Sequence, residues 1–395
     1  MDARPLLYDK IEPHKSSIQR ENVVDKGLAD KNKADSLDQE IRDVLSSVVD
    51  PHTGKNLVES GEVAEIETVN GVAKIKLVLG YPSSSWNETL KTHIAEATKG
   101  INGLDQATVT IETEIVGHEV QKGVNPITGV RNIIAVASGK GGVGKSTVSV
   151  NLALALAAEG ARTGILDADI FGPSQPRMLG ISGQPHSPDG KIIEPHVSYE
   201  VQAMSIGFLI DEETPMIWRG PMVTQALEQL LNDTQWDNLD YLIIDLPPGT
   251  GDTQLTLAQR VPVSGALIVT TPQDIALLDA KKAYKMFEKV EIPVLGVVEN
   301  MSSHICTKCG YEEHIFGEGG GSRMAKQYGI DYLGDIPLAR SIREGTDSGS
   351  PTVVSEPEGR LAQIYIEIAR KAAGRLAIRK KDYSDVFPSI VVQDN

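Results

Sequence analysis

Two lysines and four glycines lie within one run of ten residues, SGKGGVGKST at 138–147. Glycine lets backbone N–H groups wrap around phosphate oxygens without Cβ clashes, and the start of a following helix adds partial positive charge. In such a loop Lys145 would reach the β- and γ-phosphates of a nucleotide, and Ser146 would ligate Mg²⁺. The run matches the phosphate-loop pattern G-x-x-x-x-G-K-[ST]. We therefore assign nucleotide binding to Gly139, Lys140, Gly141, Gly142, Val143, Gly144, Lys145, Ser146 and Thr147.

Acidic residues close two apolar runs further along the chain. RTGILDAD ends at Asp169, and YLIID ends at Asp245. If both runs are strands of one parallel sheet, their carboxyl ends lie beside the phosphate loop, where ligands of such sheets bind. Asp245 then fits the carboxylate that holds the Mg²⁺ shell. Asp167 is expected near the metal or its waters.

The run KGGVGKST resembles the deviant phosphate loop of the MinD/ParA/nitrogenase-iron-protein class of P-loop ATPases. This resemblance implies that Lys140 reaches across a dimer interface to the nucleotide of the partner subunit. It also implies that Asp169 orients the attacking water. Asn300 follows the run IPVLGVVE, where this class reads adenine. No N-K-x-D motif occurs at that point, which favours ATP over GTP.

The two cysteines of the chain form a single C-x-x-C, Cys306 and Cys309. Thiolates at this spacing chelate one metal ion or one face of a cluster. A site built wholly of cysteine needs four ligands, so a two-fold dimer would supply the missing pair to an iron–sulfur cluster or a Zn²⁺ ion. The alternatives are a site completed by His304 or His314 within one subunit, a redox dithiol, or two loop thiols without a function.

The segments that would position these groups alternate between strands and helices from residue 131 onward. Short apolar runs typical of buried strands are NIIAVAS, RTGILDAD, YLIIDLPPG, GALIVTTP and IPVLGVVEN. Helical stretches such as Met222–Leu231 and Asp279–Val290 lie between them. This alternation predicts an α/β fold, a doubly wound and mostly parallel sheet in a P-loop NTPase domain.

A smaller α/β domain is predicted ahead of this sheet. It combines a helical pattern in SLDQEIRDVLSSVV, a hairpin with its turn at Asn70-Gly71, a helix over Asn87–Ala97 and a third strand in ATVTIETEI. The predicted organisation is a flexible extension at 1–36, the small domain at 37–116, a linker at 117–130, the ATPase domain at 131–378 and a C-terminal tail at 379–395.

Composition excludes several classes of protein. The chain has 38 basic and 54 acidic side chains in 395 residues, a formal net charge of −16. Such a negative net charge argues against nucleic acid as a partner and against stable association with a membrane. Two cysteines exclude a disulfide-built secreted scaffold. Since no long apolar run and no signal-peptide core is seen, we expect a cytoplasmic protein.

Longer stretches around these motifs are similar to the Mrp/ApbC-type iron–sulfur cluster carriers. They are SGKGGVGKST, DADIFGPSQPRMLG, MIWRGPM, DYLIIDLPPGTGD, VVENMS followed by C-x-x-C, and LGDIPL ahead of REGTDSGSP. The similarity covers roughly 130–375, and residues 37–116 resemble the iron–sulfur-assembly domain often fused ahead of this ATPase. Relatives of that small domain often carry a cysteine where this chain reads YPSSS, so we expect a docking module here.

The resemblance implies a homodimer that holds a 4Fe–4S cluster between two C-x-x-C pairs. Such a protein hydrolyses ATP slowly and passes the cluster to apo-proteins, in contact with cluster-assembly scaffold proteins. Cys306 and Cys309 would then be the cluster ligands. The nucleotide residues would be Lys140, Lys145, Ser146, Asp169 and Asp245.

Other functions are compatible with the same motifs. A positioning or membrane-switch ATPase of the MinD/ParA kind would use residues 358–381 as a basic amphipathic helix; the simpler interpretation is a last helix packed on the sheet. An electron-transfer ATPase like the nitrogenase iron protein also bridges a cluster. A small-molecule kinase would need a substrate pocket that the sequence does not identify.

Overall fold

A computed structural model describes residues 34–209, 220–306 and 308–382 of the chain. These residues form two compact units. The smaller unit consists of residues 34–49, 56–77 and 89–111, and the larger one of residues 50–55, 78–88 and 112 onward. Residues 50–55 and 78–88, which lie inside the predicted small domain, therefore group with the larger unit. The domain boundaries proposed from the sequence stay predictions.

The smaller unit contains a sheet with strand order β1-β2-β3 and two helices. The elements that lie wholly or mostly within it are α1 (34–45), β1 (Val63–Val69), β2 (Val72–Leu79), α2 (Asn87–Ala97) and β3 (Gln106–Thr113). Strands β1 and β2 pair antiparallel. Asn70 and Gly71 have φ of 49° and 77°, so the two-residue turn with left-handed backbone at both positions confirms the predicted hairpin.

The ends of the predicted organisation differ in detail from the structure. Residues 34–36, assigned to the flexible extension, belong to α1. The rest of the extension, residues 1–33, lies outside the described residues. So do residues 383–395 of the predicted tail.

The larger unit is built around a nine-stranded sheet with the order β11-β10-β9-β4-β8-β5-β7-β6, and β12 pairs with β10. Its strands are β4 (Val130–Ala137), β5 (Thr163–Asp167), β6 (His196–Ser198), β7 (Val201–Ser205), β8 (Leu239–Asp245), β9 (Gly265–Thr270), β10 (Val294–Ile305), β11 (Glu312–Glu313) and β12 (Tyr332–Leu338). Only β6 and β11 are antiparallel to their neighbours. The predicted doubly wound, mostly parallel sheet is confirmed.

Helices cover this sheet and explain the apolar runs of its central strands. They are α3 (Lys145–Ala158), α4 (Gln175–Met178), α5 (Gly220–Asp233), α6 (Asp252–Arg260), α7 (Asp274–Lys289), α8 (Gly320–Tyr328), α9 (Arg340–Asp347), α10 (Thr352–Ser355) and α11 (Arg360–Ala377). Every residue of β5, β8 and β9 is buried. A strand that is covered on both faces needs apolar residues at every position rather than at alternate ones.

Four strands of the larger unit, β6, β7, β11 and β12, were not predicted, for reasons that lie in their sequences. Strand β11 consists of two residues, Glu312 and Glu313, too few to form a pattern. HVS and VQAMS, which form β6 and β7, are short, and polar residues interrupt their apolar ones. YLGDIPL, which forms β12, contains a glycine and a proline that normally indicate a turn. Their partners in the sheet supply the pairing that local sequence does not favour.

Helix α11 packs against α3 and β12 within the larger unit. Most of its apolar side chains, among them Tyr365, Ile368 and Leu376, are buried, and Leu361 and Ile364 are half-buried. The apolar face that a membrane-binding helix would need is therefore covered by the protein itself, as the simpler interpretation of 358–381 predicts. Within the described ranges, no helix is both long and apolar enough to cross a membrane.

Candidate nucleotide and cysteine sites

The phosphate loop connects β4 to α3, and geometry requires three of its glycines, Gly139, Gly142 and Gly144. Gly142 and Gly144 have φ of 80° and 81°, which side chains other than glycine adopt only with strain. A Cβ on Gly139 would lie 2.1 Å from the backbone of Asp279. Gly144 precedes α3 without a side-chain cap, so the first N–H groups of the helix are available to an anion.

Lys145 is the first residue of α3, and its side chain lies among acidic groups. Its Nζ is 2.5 Å from Asp245 Oδ1 and 4.0 Å from Asp169 Oδ2, and it donates to Ser146 Oγ at 3.3 Å. Lys145 is 5 % exposed and Asp245 is fully buried. The fold thus brings together four residues predicted to act on nucleotide: a lysine, a hydroxyl and two carboxylates.

Asp245 accepts further hydrogen bonds that the sequence did not reveal. Ser149 Oγ donates to its Oδ1 at 2.9 Å, and Gln175 Nε2 donates to its Oδ2 at 3.0 Å. Ser149 lies one helical turn after Lys145, so the i, i+4 spacing along α3 could have indicated it. Gln175 is the first residue of α4, which follows β5, and no local pattern connects it to Asp245.

The third carboxylate at this edge of the sheet, Asp167, holds the backbone of the loop that follows it. Asp167 accepts hydrogen bonds from the N–H groups of Asp169, Ser174 and Gln175 at 3.1, 2.9 and 3.0 Å. Burial and the neighbouring Asp245 charge raise the pKa of Asp167 to about 7. Burial likewise raises the pKa of Asp169. Charge is therefore crowded at this site, with one lysine facing three carboxyl groups.

These residues fit a magnesium–nucleotide ligand. Mg²⁺ prefers hard oxygen donors and keeps several of its waters; Ser146 offers a hydroxyl, and Asp245 and Asp169 offer carboxylates beside it. The glycine cradle leaves room where a Cβ would clash. A bound magnesium ion would neutralise charge on the phosphates, and Lys145 would be the protein's own cation for the same purpose.

Asn300 lies against the phosphate loop. Its Nδ2 donates to the carbonyl oxygen of Val143 at 2.8 Å, and its Oδ1 accepts from the N–H of Met301 at 3.0 Å. Both ends of its amide are therefore hydrogen-bonded to protein backbone in this structure. Its predicted role in reading adenine stays a prediction, and it would require the amide to exchange these partners.

Lys140 and Gly249 complete the rim of the phosphate loop. Lys140 is half-buried, and its carbonyl oxygen accepts from Ser138 Oγ at 2.9 Å. The N–H of Gly249, in the loop after β8, donates to the carbonyl oxygen of Ser138 at 2.9 Å. The loops after β4 and β8 are thus joined by a direct hydrogen bond. The predicted reach of Lys140 to a partner's nucleotide stays a prediction.

The cysteine pair sits on a tight turn directly after β10. The N–H of Cys306 donates to the carbonyl oxygen of Tyr311, and the N–H of Gly310 donates to that of Cys306, at 2.9 and 2.8 Å. Cys309 is exposed, and both thiols are free. Hydrogen bonds from the N–H groups of Lys308 and Cys309 lower the pKa of the Cys306 thiol, which favours the thiolate that binds metal.

The two histidines near this turn are directed to backbone oxygens. His304 Nδ1 is 3.1 Å from the carbonyl oxygen of Leu338, and His314 Nδ1 is 2.8 Å from that of Ser302. Across the part of the chain that the structure describes, no three His, Cys, Asp or Glu side chains are grouped to hold a metal. A site completed by His304 or His314 is therefore not assembled in this structure.

A buried parallel strand, a glycine loop, a helix beginning with lysine and a carboxylate at the neighbouring strand end define a P-loop nucleoside triphosphatase. The sequence comparisons agree. The sequence model of the NUBPL iron-transfer P-loop NTPase family matches residues 129–373. The chain belongs to this family. A second family model, described as iron–sulfur cluster assembly protein, matches residues 38–111.

Curated relatives match over most of their length. An iron–sulfur cluster carrier protein of Haemophilus influenzae is 48% identical over 88% of this chain and 94% of its own. One from Escherichia coli K12 is 49% identical over 84% of this chain and 90% of its own. The iron–sulfur cluster transfer protein NUBPL of Mus musculus is 50% identical over 67% of this chain and 83% of its own.

One solved structure supports the fold. A nucleotide-binding protein from Archaeoglobus fulgidus, solved in complex with ADP, superimposes with a TM-score of 0.51. It is 39% identical, and the match covers 58% of this chain and 90% of that one.

Proposed function

We propose that this protein is an ATP-hydrolysing carrier that holds an iron–sulfur cluster across a homodimer and transfers it to apo-proteins. The cluster is cargo, bound by Cys306 and Cys309 of each subunit. With two cysteines per chain, four thiolate ligands require two copies, and four thiolates match the common ligand set of a 4Fe–4S cluster. The names of the relatives support the same activity. We also propose that the protein acts in the cytoplasm.

The observation that carries this proposal is the course of β10. The strand bears Asn300, whose amide donates to the phosphate loop at Val143, and it leads directly into the turn with Cys306. One strand therefore connects the nucleotide loop to the thiol pair. We infer that a nucleotide-dependent change at the loop reaches the cysteines along this strand and alters how firmly a cluster is held.

Anaerobic reconstitution with iron and sulfide tests the carrier function. The expected result is visible charge-transfer absorbance, with four iron and four sulfide per dimer for a 4Fe–4S cluster. In Cys306→Ala the absorbance and the bound iron should be lost. Ser302→Ala, four residues earlier on β10, is the matched control and should bind a cluster like the wild type. A colourless protein that retains zinc would overturn the proposal and make the C-x-x-C a zinc site.

A further inference from the structure

Gln175 lies at the meeting point of three segments of the nucleotide site. It is the first residue of α4 and is 1 % exposed. Its Nε2 donates to the carbonyl oxygen of Ser146 at 3.1 Å and to Asp245 Oδ2 at 3.0 Å. Its backbone N–H donates to Asp167 Oδ2 at 3.0 Å. Through its side chain Gln175 thus joins the phosphate loop to the strand end with Asp245, and through its backbone N–H it is tied to Asp167, which precedes the loop that carries Asp169.

The orientation of the Gln175 amide follows from these partners. Both atoms that face its Nε2 are acceptors, a carbonyl oxygen and a carboxylate oxygen. The reversed amide would place its oxygen against both of them, which is repulsive. The NH₂ group therefore belongs on the side of Ser146 and Asp245.

The other end of this amide has no partner within the described residues. Gln175 Oε1 is buried and accepts no hydrogen bond from any residue that the structure describes, and the same holds for Oγ of the neighbouring Ser174. A buried polar atom left unsatisfied costs about 1–3 kcal/mol. Two such atoms on adjacent residues beside a nucleotide site point to a polar group that arrives with the ligand.

The acidic side chains at the site indicate which polar group would contact Gln175 Oε1. When Lys145 turns to the phosphates, Asp245 loses its nearest cation, and Asp169 and Asp167 stand close by. A divalent cation then has to balance these carboxyl groups and the phosphates together. The waters that Mg²⁺ keeps are hydrogen-bond donors, and an amide oxygen is a suitable acceptor for one of them.

We propose that Gln175 is a positioning residue for magnesium, with Oε1 accepting a hydrogen bond from a water of the magnesium shell while Nε2 holds the Asp245 carboxylate in place. This inference rests on the nucleotide-binding part of the proposed function. Through its backbone bond to Asp167, Gln175 also ties the loop bearing Asp169 to the filled site. Gln175 thus links occupation of the metal site to the position of the predicted water-orienting residue.

The test compares affinity for ADP with and without Mg²⁺ in the full-length protein, for wild type and Gln175→Leu. Loss of Oε1 and Nε2 should leave metal-free ADP affinity within about twofold and reduce the tightening by Mg²⁺ at least tenfold, the ratio expected for losing about 1.4 kcal/mol. Gln202→Leu is the matched control. Gln202 also makes two hydrogen bonds, to the backbone of Asp237. It lies near the amino end of β7, whereas the nucleotide site lies at the carboxyl ends of the strands.

The outcomes are separable. If folded Gln175→Leu keeps the wild-type ratio of the two affinities, the inference is wrong, even if its melting temperature falls. Should Gln175→Leu not fold, Gln175→Asn, shorter by one methylene, is measured instead; an unchanged ratio there has the same meaning. A wild type that shows magnesium-dependent ADP binding but takes up no cluster would overturn the carrier function and leave the role of Gln175 intact.

Discussion

At the scale of single residues, the nucleotide site contains more acidic than basic side chains. Lys145 is the cation placed between Asp245 and Asp169, and Asp167 lies on the neighbouring strand end in register with Asp245. Burial and Asp245 raise the pKa of Asp167 to about 7. This crowding opposes the folded state without ligand and favours a bound cation, because each carboxylate gains from a second positive charge.

A second buried cluster surrounds His52 in the larger unit. Its Nδ1 is 3.2 Å from Asp50 Oδ1 and its Nε2 is 3.1 Å from Glu367 Oε2, while the hydroxyl of Tyr81 donates to Asp50 Oδ2 at 2.8 Å. Burial opposes the charged imidazole, but the hydrogen bonds to both carboxylates outweigh it and raise the pKa of His52. The pKa of Glu367 falls to about 2: burial opposes this shift, but the hydrogen bond from His52 outweighs it. Residues 50–55 are thereby fastened to α11.

His52→Gln should destabilise the protein in a pH-dependent way. Because the folded pKa of His52 is raised above 6.5, its contribution is complete below that pH and is lost as pH rises through the raised pKa. The contribution of Glu367 requires a pH above 4.5 and is lost as pH falls towards 2. We therefore expect the largest loss, roughly 2 kcal/mol, between these limits.

Denaturant unfolding of wild type and His52→Gln at pH 5.5 and pH 9 measures this difference. His186→Gln is the control, since His186 pairs with Glu194 at the surface and exposed pairs contribute little. A loss of equal size at both pH values would contradict the assigned charge on His52.

At the scale of elements, the phosphate loop depends on how closely β10 approaches it. A Cβ on Gly144 would lie 2.2 Å from Asn300 Nδ2, whereas a Cβ on Gly142 meets no atom within 4 Å. Both glycines have nearly the same left-handed φ. The pair therefore separates the cost of backbone strain from the cost of displacing Asn300.

Gly142→Ala should lower the free energy of unfolding by about 1 kcal/mol, the cost of a left-handed alanine. Gly144→Ala carries the same strain and also pushes Asn300 away from Val143, so we expect a loss larger by roughly 1–3 kcal/mol and weaker ADP binding. Denaturant unfolding and ADP titration of the two variants compare them directly. Equal losses of unfolding free energy would mean that Asn300 moves away at little cost and does not hold the loop.

At the scale of the whole molecule, the proposed homodimer would couple two nucleotide loops to one shared cluster. Lys145 belongs to the loop, and the cysteines lie at the end of β10, so communication between them has to pass through the fold. The family of P-loop NTPases establishes the nucleotide chemistry. The coupling to cluster transfer is the part that requires a measurement.

Cluster transfer to an apo-ferredoxin, followed by absorbance with and without ATP, provides that measurement. In wild type we expect ATP to change the transfer rate by at least several-fold. In Lys145→Ala the two rates should be equal, because the variant lacks the cation that holds the phosphates. Lys122→Ala, in the segment before β4, is the matched control and should respond as wild type does. An ATP response that persists in Lys145→Ala would exclude coupling through the phosphate loop.

The sequence by itself determined those features that depend on local chemistry. Runs of apolar residues predicted the buried strands β4, β5, β8 and β9, since a strand covered on both faces has to be apolar throughout. Glycine and lysine spacing predicted the phosphate loop, and Asn70-Gly71 predicted the turn of the hairpin formed by β1 and β2. Each of these signals acts over about ten residues or fewer.

Only the tertiary structure decided which distant groups meet. Gln175 reaches Asp245 across 70 residues, and residues 50–55 group with the larger unit through His52 and Glu367, which are 315 positions apart. Strand β12 forms although its sequence contains Gly334 and Pro337, because pairing with β10 outweighs its weak local preference. Contacts of this kind depend on packing between elements, and a local pattern cannot encode a partner far away in the chain.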